Sequence, residues 1–531
     1  MSKTEETYKK KSLHDHILTM PDTYIGSIET DQKDLWIFDE EENRIIKKTI
    51  NYVPGFYKIF DEIIVNARDH TIRDKTCKNI KIYINKTTNE ITVYNDGNGI
   101  PVKIHNEYNV YIPELIFGHL LTSSNYDQKG KIVGGKNGYG AKCTNIYSTS
   151  FKIETVDSNE KKKYYQEFSN NMKDKSEPKI EKTKELPYTK ITYKPDYIKF
   201  GMKGLTTDII GLLQKRAYDL TVCTEGINIY SNDIKLKCDC FEDYIKMYYK
   251  TVPNIVYKKI NSRWKVGVIY DNESGFNQIS FVNGIWTYHG GTHITHIINQ
   301  LSAGIIDHIK QKYKNLKIKS TQIKDNITLF VDCVIEDPSF SSQTKEFLTT
   351  KTTNYGNHED AKCVLLPEFI TTVLKTGIVD ELVNYAQFKE LEQLKKTDGK
   401  KKESVKNIIK LSDALQAGTR NSKDTRLFLT EGDSAKNFAL RGLEIIGREY
   451  YGVFPLKGKL LNIRNATISQ IKNNEEFANI KKILGLKQGE VYDDISKLRY
   501  GGIIILADQD SITGDTPLLL QKSMKGICRY A

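Results

Sequence analysis

Glu62 and Asn66 stand four residues apart in Tyr57–Asn66 (YKIFDEIIVN), a segment whose apolar residues recur at helical spacing. On a helix, positions i and i+4 share one face. A carboxylate there can align and deprotonate a water molecule, and an amide oxygen one turn on can hold a hard cation such as Mg²⁺. Taken alone, such a pair is more often a solvated helix face.

Two glycine-rich segments follow. Asp96-Gly97-Asn98-Gly99 ends the alternating run Ile91–Asn95 (ITVYN). Its glycines let backbone approach a flat ligand, and Asp96 or Asn95 could accept a hydrogen bond from an exocyclic amine such as that of adenine. A plain β-turn is the competing reading. Gly134–Lys142 (GGKNGYGAK) could cradle phosphates on successive backbone N–H groups. It is not a P-loop: Gly130 to Lys136 spells G-x-x-x-x-G-K, but Asn137 stands where Ser or Thr would meet Mg²⁺, and no clear strand precedes it. Gly135, Gly138 and Gly140 also fail the Rossmann spacing. Far along the chain, Leu427–Thr430 (LFLT) and Ile503–Ala507 (IIILA) read as strands that run into the acidic residues Glu431, Asp508 and Asp510. Carboxylates at strand ends point to an α/β domain with its site on that edge.

These groups need a scaffold, and 531 residues suffice for three or four domains. Hydrophobic residues make up 39% and charged residues 27%, an ordinary balance that lets each domain bury a core. No apolar run approaches the ~20 residues of a membrane helix, and MSKTEETYKKK is no secretory signal. Of eight cysteines only Cys238 and Cys240 lie close together, without a second pair to complete a zinc site, so all eight are expected to be reduced, intracellular thiols. Ile80–Ile84 and Ile91–Asn95 alternate as paired strands do, and Lys395–Glu403 (KKTDGKKKE) has linker composition. The net charge of +12 favours a nucleic-acid partner. Lys310 to Lys324 is a basic stretch that reads equally as a DNA contact or a solvated helix face.

Each signal is weak by itself, but Glu-x-x-x-Asn, then D-G-x-G, then G-x-x-G-x-G resembles the GHKL ATPases in order and spacing. Ile59–Ala67 (IFDEIIVNA), Leu120–Tyr126 (LLTSSNY), Gly135–Lys142, Phe281–Thr292 (FVNGIWTYHGGT), Ser341–Lys345 (SSQTK), Leu429–Lys436 (LTEGDSAK), Pro455–Leu461 (PLKGKLL) and Arg499–Asp510 (RYGGIIILADQD) narrow this. Together they resemble the eukaryotic-type (type IIA) DNA topoisomerases, over essentially Tyr24 to Asp510.

The resemblance implies an α+β chain: a GHKL α/β sandwich over 1–240, a βαβ-rich transducer of the left-handed crossover type over 241–385, a linker over 386–423 and an incomplete α/β Toprim domain over 424–510. It implies ATP-dependent double-strand passage, with ATP and Mg²⁺ as cofactors, double-stranded DNA as partner, an ATP-gated homodimer and no membrane. Glu62 would be the general base. Asn66 and Asn95 would contact Mg²⁺ and nucleotide, and Asp96 would read adenine. Ser123, Ser124 and Asn125 would bind ribose and phosphate. Gly135, Lys136, Asn137, Gly138, Tyr139, Gly140, Ala141 and Lys142 would wrap the triphosphate. Gln343, Thr344 and Lys345 would reach over from the second domain, with Lys345 on the γ-phosphate. Glu431, Asp508 and Asp510 would hold a second Mg²⁺, and Lys457, Lys459 and Arg464 would contact DNA.

The chain departs from the family pattern in two places. Arg68 and His70 replace the small or amide residues usual beside the Glu-x-x-x-Asn helix. After Asp510 the likeness stops, and residues 511–531 resemble an intein opening with Ser511 as its nucleophile; a foreign tail is the competing reading. Two other functions compete with this reading. A GHKL clamp of the chaperone or mismatch-repair type would lack the EGDSAK segment and the second acidic site. A degenerate DNA-binding fragment would not keep Glu62, Asn66 and Lys345.

Overall fold

The computed structural model describes residues 10–122, 130–135, 138–313, 316–457 and 468–506. The chain folds as two compact units, Met1–Asp307 with Lys319–Val379, and His308–Ile318 with Asp380–Ala531.

The first unit is organised by helix α1 (Pro54–Arg73), which opens on a proline whose missing N–H costs nothing at a helix start. Phe56, Ile59, Phe60, Ile63, Ile64 and Ala67 recur at helical spacing and are buried. They join one core with Ile80, Ile82 and Ile84 of β1 (Asn79–Asn85) and with Ile91 and Val93 of β2 (Glu90–Asp96). Those strands bury every second residue, the period of a sheet with one face covered. β3 (Ser148–Val156), β4 (Lys162–Ser169), β5 (Tyr188–Pro195) and β6 (Asn228–Ser231) complete the centre of a nine-stranded sheet. Its order is Ile234–Lys235, β6, β1, β2, β5, β3, β4, Asp174–Lys175, with Lys179–Lys182 also on β4. β6 joins β1 in parallel and the other pairings are antiparallel. Helices α2 (Gly140–Ile146) and α3 (Thr207–Cys223) pack against α1.

The same unit holds a second, five-stranded sheet: β7 (Ile255–Asn261), β8 (Trp264–Tyr270), β9 (Asn277–Val282), β10 (Ile285–Trp286) and β11 (Ile327–Cys333), in the order β7-β8-β11-β9-β10. β9 and β11 are parallel, and the crossover between them carries α4 (Thr292–Lys312). All seven residues of β11 are buried, as a central strand covered on both faces requires. Gly290–Gly291 pairs with Phe347–Leu348. A Cβ on Gly291 would lie 2.5 Å from the Leu348 carbonyl oxygen, so only glycine lets the segment ending at Leu348 come this close.

Buried charges on α3 tie it to α1 and to the β9–β10 segment. Arg216, fully buried on α3, donates to Asp61 of α1 at 2.7 Å and to the carbonyl of Gly284, in the β9–β10 turn, at 2.7 Å. Lys215 pairs with Asp219 at 2.9 Å and sits 4.0 Å over the Trp286 ring. With their partners in place these charges are tolerable in the interior; stripped of one partner they would not be.

The second unit is built on a parallel three-stranded sheet, with β12 (Arg426–Thr430) between β13 (Tyr451–Pro455) and β14 (Gly502–Leu506). Leu427 and Leu429 of β12 are fully buried. α5 (Asp433–Ile446) packs on the sheet, and α6 (Glu475–Leu484) buries Phe477, Ile480, Ile483 and Leu484 in the core. The segment with linker composition behaves differently from its sequence. The Lys481 ammonium is fully buried and takes Asp398 at 2.7 Å and Thr397 at 3.3 Å, while the Gly399 N–H donates to Leu486. A buried ammonium must find acceptors, and here the polar segment supplies them. Seven cysteines in the described residues are free thiols. Among the described residues, no helix is long and apolar enough to cross a membrane.

Candidate active site

Helix α1 runs along one wall of a cavity of about 610 Å³. Glu62, Asn66 and His70, one turn apart, line it together with Arg73. The β1–β2 layer contributes Val93, Asn95, Gly99 and Ile100, and the glycine loop contributes Gly135, Gly138, Tyr139, Gly140, Ala141 and Lys142. Gln343 and Lys345 close the cavity from the second sheet's side. The cavity is therefore polar near Glu62 and Lys345 and more apolar towards Val93, Ile100 and Ile191.

Glu62 is 6% exposed. Its Oε1 lies 2.7 Å from the Lys58 ammonium and 3.6 Å from that of Lys345. The Lys58 contact is ionic and out of line for a hydrogen bond. Burial alone would raise the Glu62 pKa, but the Lys345 and Lys58 charges outweigh it and hold the carboxyl at about 2. Burial also works against the charge of Lys58, yet Glu62 and Asp61 raise it above its usual value. Lys345 is held below its usual value by burial, despite Glu62. Lys345 reaches the site from a left-handed backbone, φ 61°, and donates to the Gly134 carbonyl at 3.2 Å. Thr344, between its two neighbours, instead lines a separate small cavity with Tyr57, Asp61 and Tyr288.

Asn95 faces the cavity, with its amide anchored on the Asp96 carbonyl at 3.0 Å. Asp96 does not face it. Its carboxylate accepts from the Lys78 and Asn79 N–H groups at 2.7 and 2.9 Å and from the Asn79 amide at 2.6 Å. The expected adenine-reading carboxylate is thus occupied by β1, which it fastens to the turn after β2. Lys142 is likewise committed: its ammonium donates to the Thr122 carbonyl at 2.6 Å, and burial brings its pKa down to about 8. Ser123, Ser124, Asn125, Lys136 and Asn137 lie outside the described residues.

Two working residues, Asp69 and Asp337, escaped the sequence reading. Asp69 accepts the Gly134 N–H at 3.0 Å and the Gly135 N–H at 2.9 Å, and so shapes the glycine loop. It stands seven residues after Glu62, on the same helix face, which was the available signal. Arg68 adds a bond to the Ile132 carbonyl at 3.4 Å. Asp337 accepts from Gly130 and Lys131 at 2.8 and 3.2 Å, which holds the same loop from the second sheet's side. His70, 3.3 Å from Asp74, is held below its usual pKa by burial, which outweighs that carboxylate.

Mg²⁺ fits this donor set. The Asn66 amide lines the cavity one turn from Glu62, which puts a hard oxygen donor on the same wall, with Gly135 and Gly138 also lining the cavity. In the second unit, Glu431 follows β12 directly, and its N–H donates to the Leu506 carbonyl at the end of β14. Lys457 is exposed just past β13. Asp508, Asp510, Lys459, Arg464 and Ser511 lie outside the described residues.

Residues 52–170 match the family of histidine kinase-, DNA gyrase B- and HSP90-like ATPases, and residues 231–405 match DNA gyrase B. The solved ATPase region of Saccharomyces cerevisiae topoisomerase II is 46% identical, with a TM-score of 0.69, over 72% of this chain and 100% of that one. This chain belongs to the type II DNA topoisomerase family. Its α/β fold is the ATPase and transducer fold of type II topoisomerases, and this region carries their ATPase. The ATPase and transducer domains of Balamuthia mandrillaris DNA topoisomerase II match at 40% identity and TM-score 0.70, over 73% of this chain and 100% of that one. DNA topoisomerase 2 of Acanthamoeba polyphaga mimivirus is 50% identical over 516 residues, 95% of this chain and 40% of that protein. This type II topoisomerase chain thus spans about two fifths of that relative. Chaperone and mismatch-repair clamps are not favoured beside these matches.

Proposed function

We propose that this chain binds Mg-ATP in the cavity between α1 and the glycine loop and hydrolyses it, with Glu62 as general base. The observation that carries the reading is the placement of Glu62: a buried, ionised carboxylate facing the glycine loop, with Lys345 brought to 3.6 Å from the distant loop before Phe347. Asn95 and the apolar end of the cavity would take the base, and Gly135 to Lys142 the triphosphate. When bound, Mg²⁺ would neutralise phosphate charge and orient the γ-phosphoryl group, held on the protein side by Asn66. Glu62 would orient the attacking water and accept its proton. Lys345, moving from Glu62 to the γ-phosphate, would stabilise the charge that develops there and report its presence to the second sheet.

In the longer enzyme this ATPase would drive passage of one DNA duplex through another, as an ATP-gated homodimer. Glu431, with Asp508 and Asp510, would hold the Mg²⁺ that assists DNA cleavage. Lys457, Lys459 and Arg464 would neutralise backbone phosphates without reading sequence. Glu62→Gln should lower ATP turnover about 10²–10⁴-fold while a non-hydrolysable analogue still binds, because the base is lost and the cradle is kept. Turnover within a few-fold of the parent chain would end the assignment.

A further inference from the structure

Gly140 belongs to the glycine loop, where the obvious role for a glycine is to let backbone approach phosphate. Its surroundings indicate another. Gly140 is the first residue of α2 and its φ is not in the left-handed region, so its backbone suits alanine. What excludes a side chain is Glu62. A Cβ at position 140 would fall 1.9 Å from Glu62 Oε2, 2.8 Å from its Cδ and 3.2 Å from its Cβ. The other oxygen, Glu62 Oε1, meets the Lys58 ammonium at 2.7 Å. Lys58 is itself buried and also faces Asp61 at 3.5 Å. One oxygen is thus held by charge and the other rests in space that only a missing side chain provides.

We propose that Gly140 and Lys58 form a two-sided socket that aims the Glu62 carboxylate at the attacking water, both as positioning residues. The proposal rests on the reading of Glu62 as general base. Lys58 is the constant partner, since it lies on the same helix one turn away, whereas Lys345 comes from the loop before Phe347 and would be drawn off by the γ-phosphate. Oε1 then stays committed to Lys58, and Oε2, beside Gly140, is left for water. Gly140 has no side chain, so it keeps that position open without offering a competing donor.

The test uses steady-state ATPase kinetics and binding of a non-hydrolysable ATP analogue on the whole chain. Gly140→Ala should lower kcat about 10²-fold, the cost of a misplacement near 1 Å, with KM and analogue affinity within about threefold. Glu62→Asp shortens the carboxylate arm. It should lower kcat in the parent chain but raise it at least tenfold in the Gly140→Ala background, a reversal that only direct contact produces. Lys58→Met should lower kcat with KM kept, and Lys58→Arg should restore most of it. If Gly140→Ala instead raises KM and leaves kcat alone, Gly140 only shapes the phosphate cradle and the socket is wrong. Equal kcat for Lys58→Met and the parent also overturns it. Should Gly140→Ala fail to bind analogue at all, the Lys58 pair decides by the same kcat-against-KM split. Failure of the underlying reading looks different: Glu62→Gln would then turn over ATP normally, whatever the socket variants do.

Discussion

The two units present acidic residues in opposite ways. In the first, Glu62 and Asp61 are buried, and each oxygen is accounted for by Lys58, Lys345, Arg216 or the space beside Gly140. In the second, Glu431 sits part-exposed at the end of a parallel strand and, among the described residues, is tied to its neighbour through backbone. The first arrangement is preorganised: its charges are fixed before any ligand arrives, which is what transition-state stabilisation needs. The second keeps a carboxylate accessible at a sheet edge, which suits a hard cation that arrives with its substrate. The same kind of substitution should therefore have very different consequences in the two units.

The largest effect is expected where burial is deepest. Arg216→Met removes the guanidinium that serves both Asp61 and the Gly284 carbonyl. Asp61 keeps Lys58 at 3.5 Å but loses its 2.7 Å partner. Breaking a buried pair from one side costs about 3–5 kcal/mol. Denaturant unfolding of the first unit should show that loss in its midpoint, with the second unit's transition unmoved. A loss below about 1 kcal/mol would mean the first unit does not depend on its buried charges.

A smaller effect should appear with acid. His293 is fully buried, its Nε2 lies 3.2 Å from the Thr287 hydroxyl, and burial lowers its pKa from 6.5 to about 3. The folded pKa is depressed, so the unfolded chain takes up this proton first. The neutral imidazole's contribution is complete above pH 6.5 and is lost as pH falls towards 3, at about 1.4 kcal/mol per pH unit in that window. His70, also lowered, acts in the same direction. The second unit holds one histidine, His308, against nine in the first. Between pH 7 and 5, the unfolding midpoint should therefore fall more for the first unit than for the second, and His293→Gln should flatten the first unit's slope. Parallel slopes in parent and variant would contradict this.

The same contrast explains what could be read from sequence. Helix α1, β1 and β2 were legible because their apolar residues repeat with clear helical and strand periods. The cavity residues Glu62, Asn66, Asn95, Gly135, Gly138, Gly140, Gln343 and Lys345 were named from motif order. What periodicity cannot show is which of two adjacent acceptors turns inward: Asn95 and Asp96 looked interchangeable, and β1 backbone captured the carboxylate. Nor does composition show burial. Nothing in composition marks Lys58 as buried beside Glu62, and KKTDGKKKE has linker composition although Asp398 meets a buried ammonium. Asp69 was within reach, since its helical phase matches Glu62.

The smallest effect is expected at Glu431, and it tests the comparison most directly. Glu62→Gln takes a negative charge away from two buried ammonium groups, so it should destabilise the first unit as well as stop hydrolysis. Glu431→Gln removes the same charge from a part-exposed side chain at the C-terminal end of β12. The backbone bond from its N–H to Leu506 does not depend on the side chain and survives the change. Substitutions away from buried networks usually lie within about ±0.5 kcal/mol, and the second unit's unfolding midpoint should move no more than that. A carboxylate that can be neutralised at no cost to its own fold is not there for the fold. A loss above about 1 kcal/mol would instead make Glu431 a structural group, and the contrast between a preorganised site and an accessible one would have to be given up.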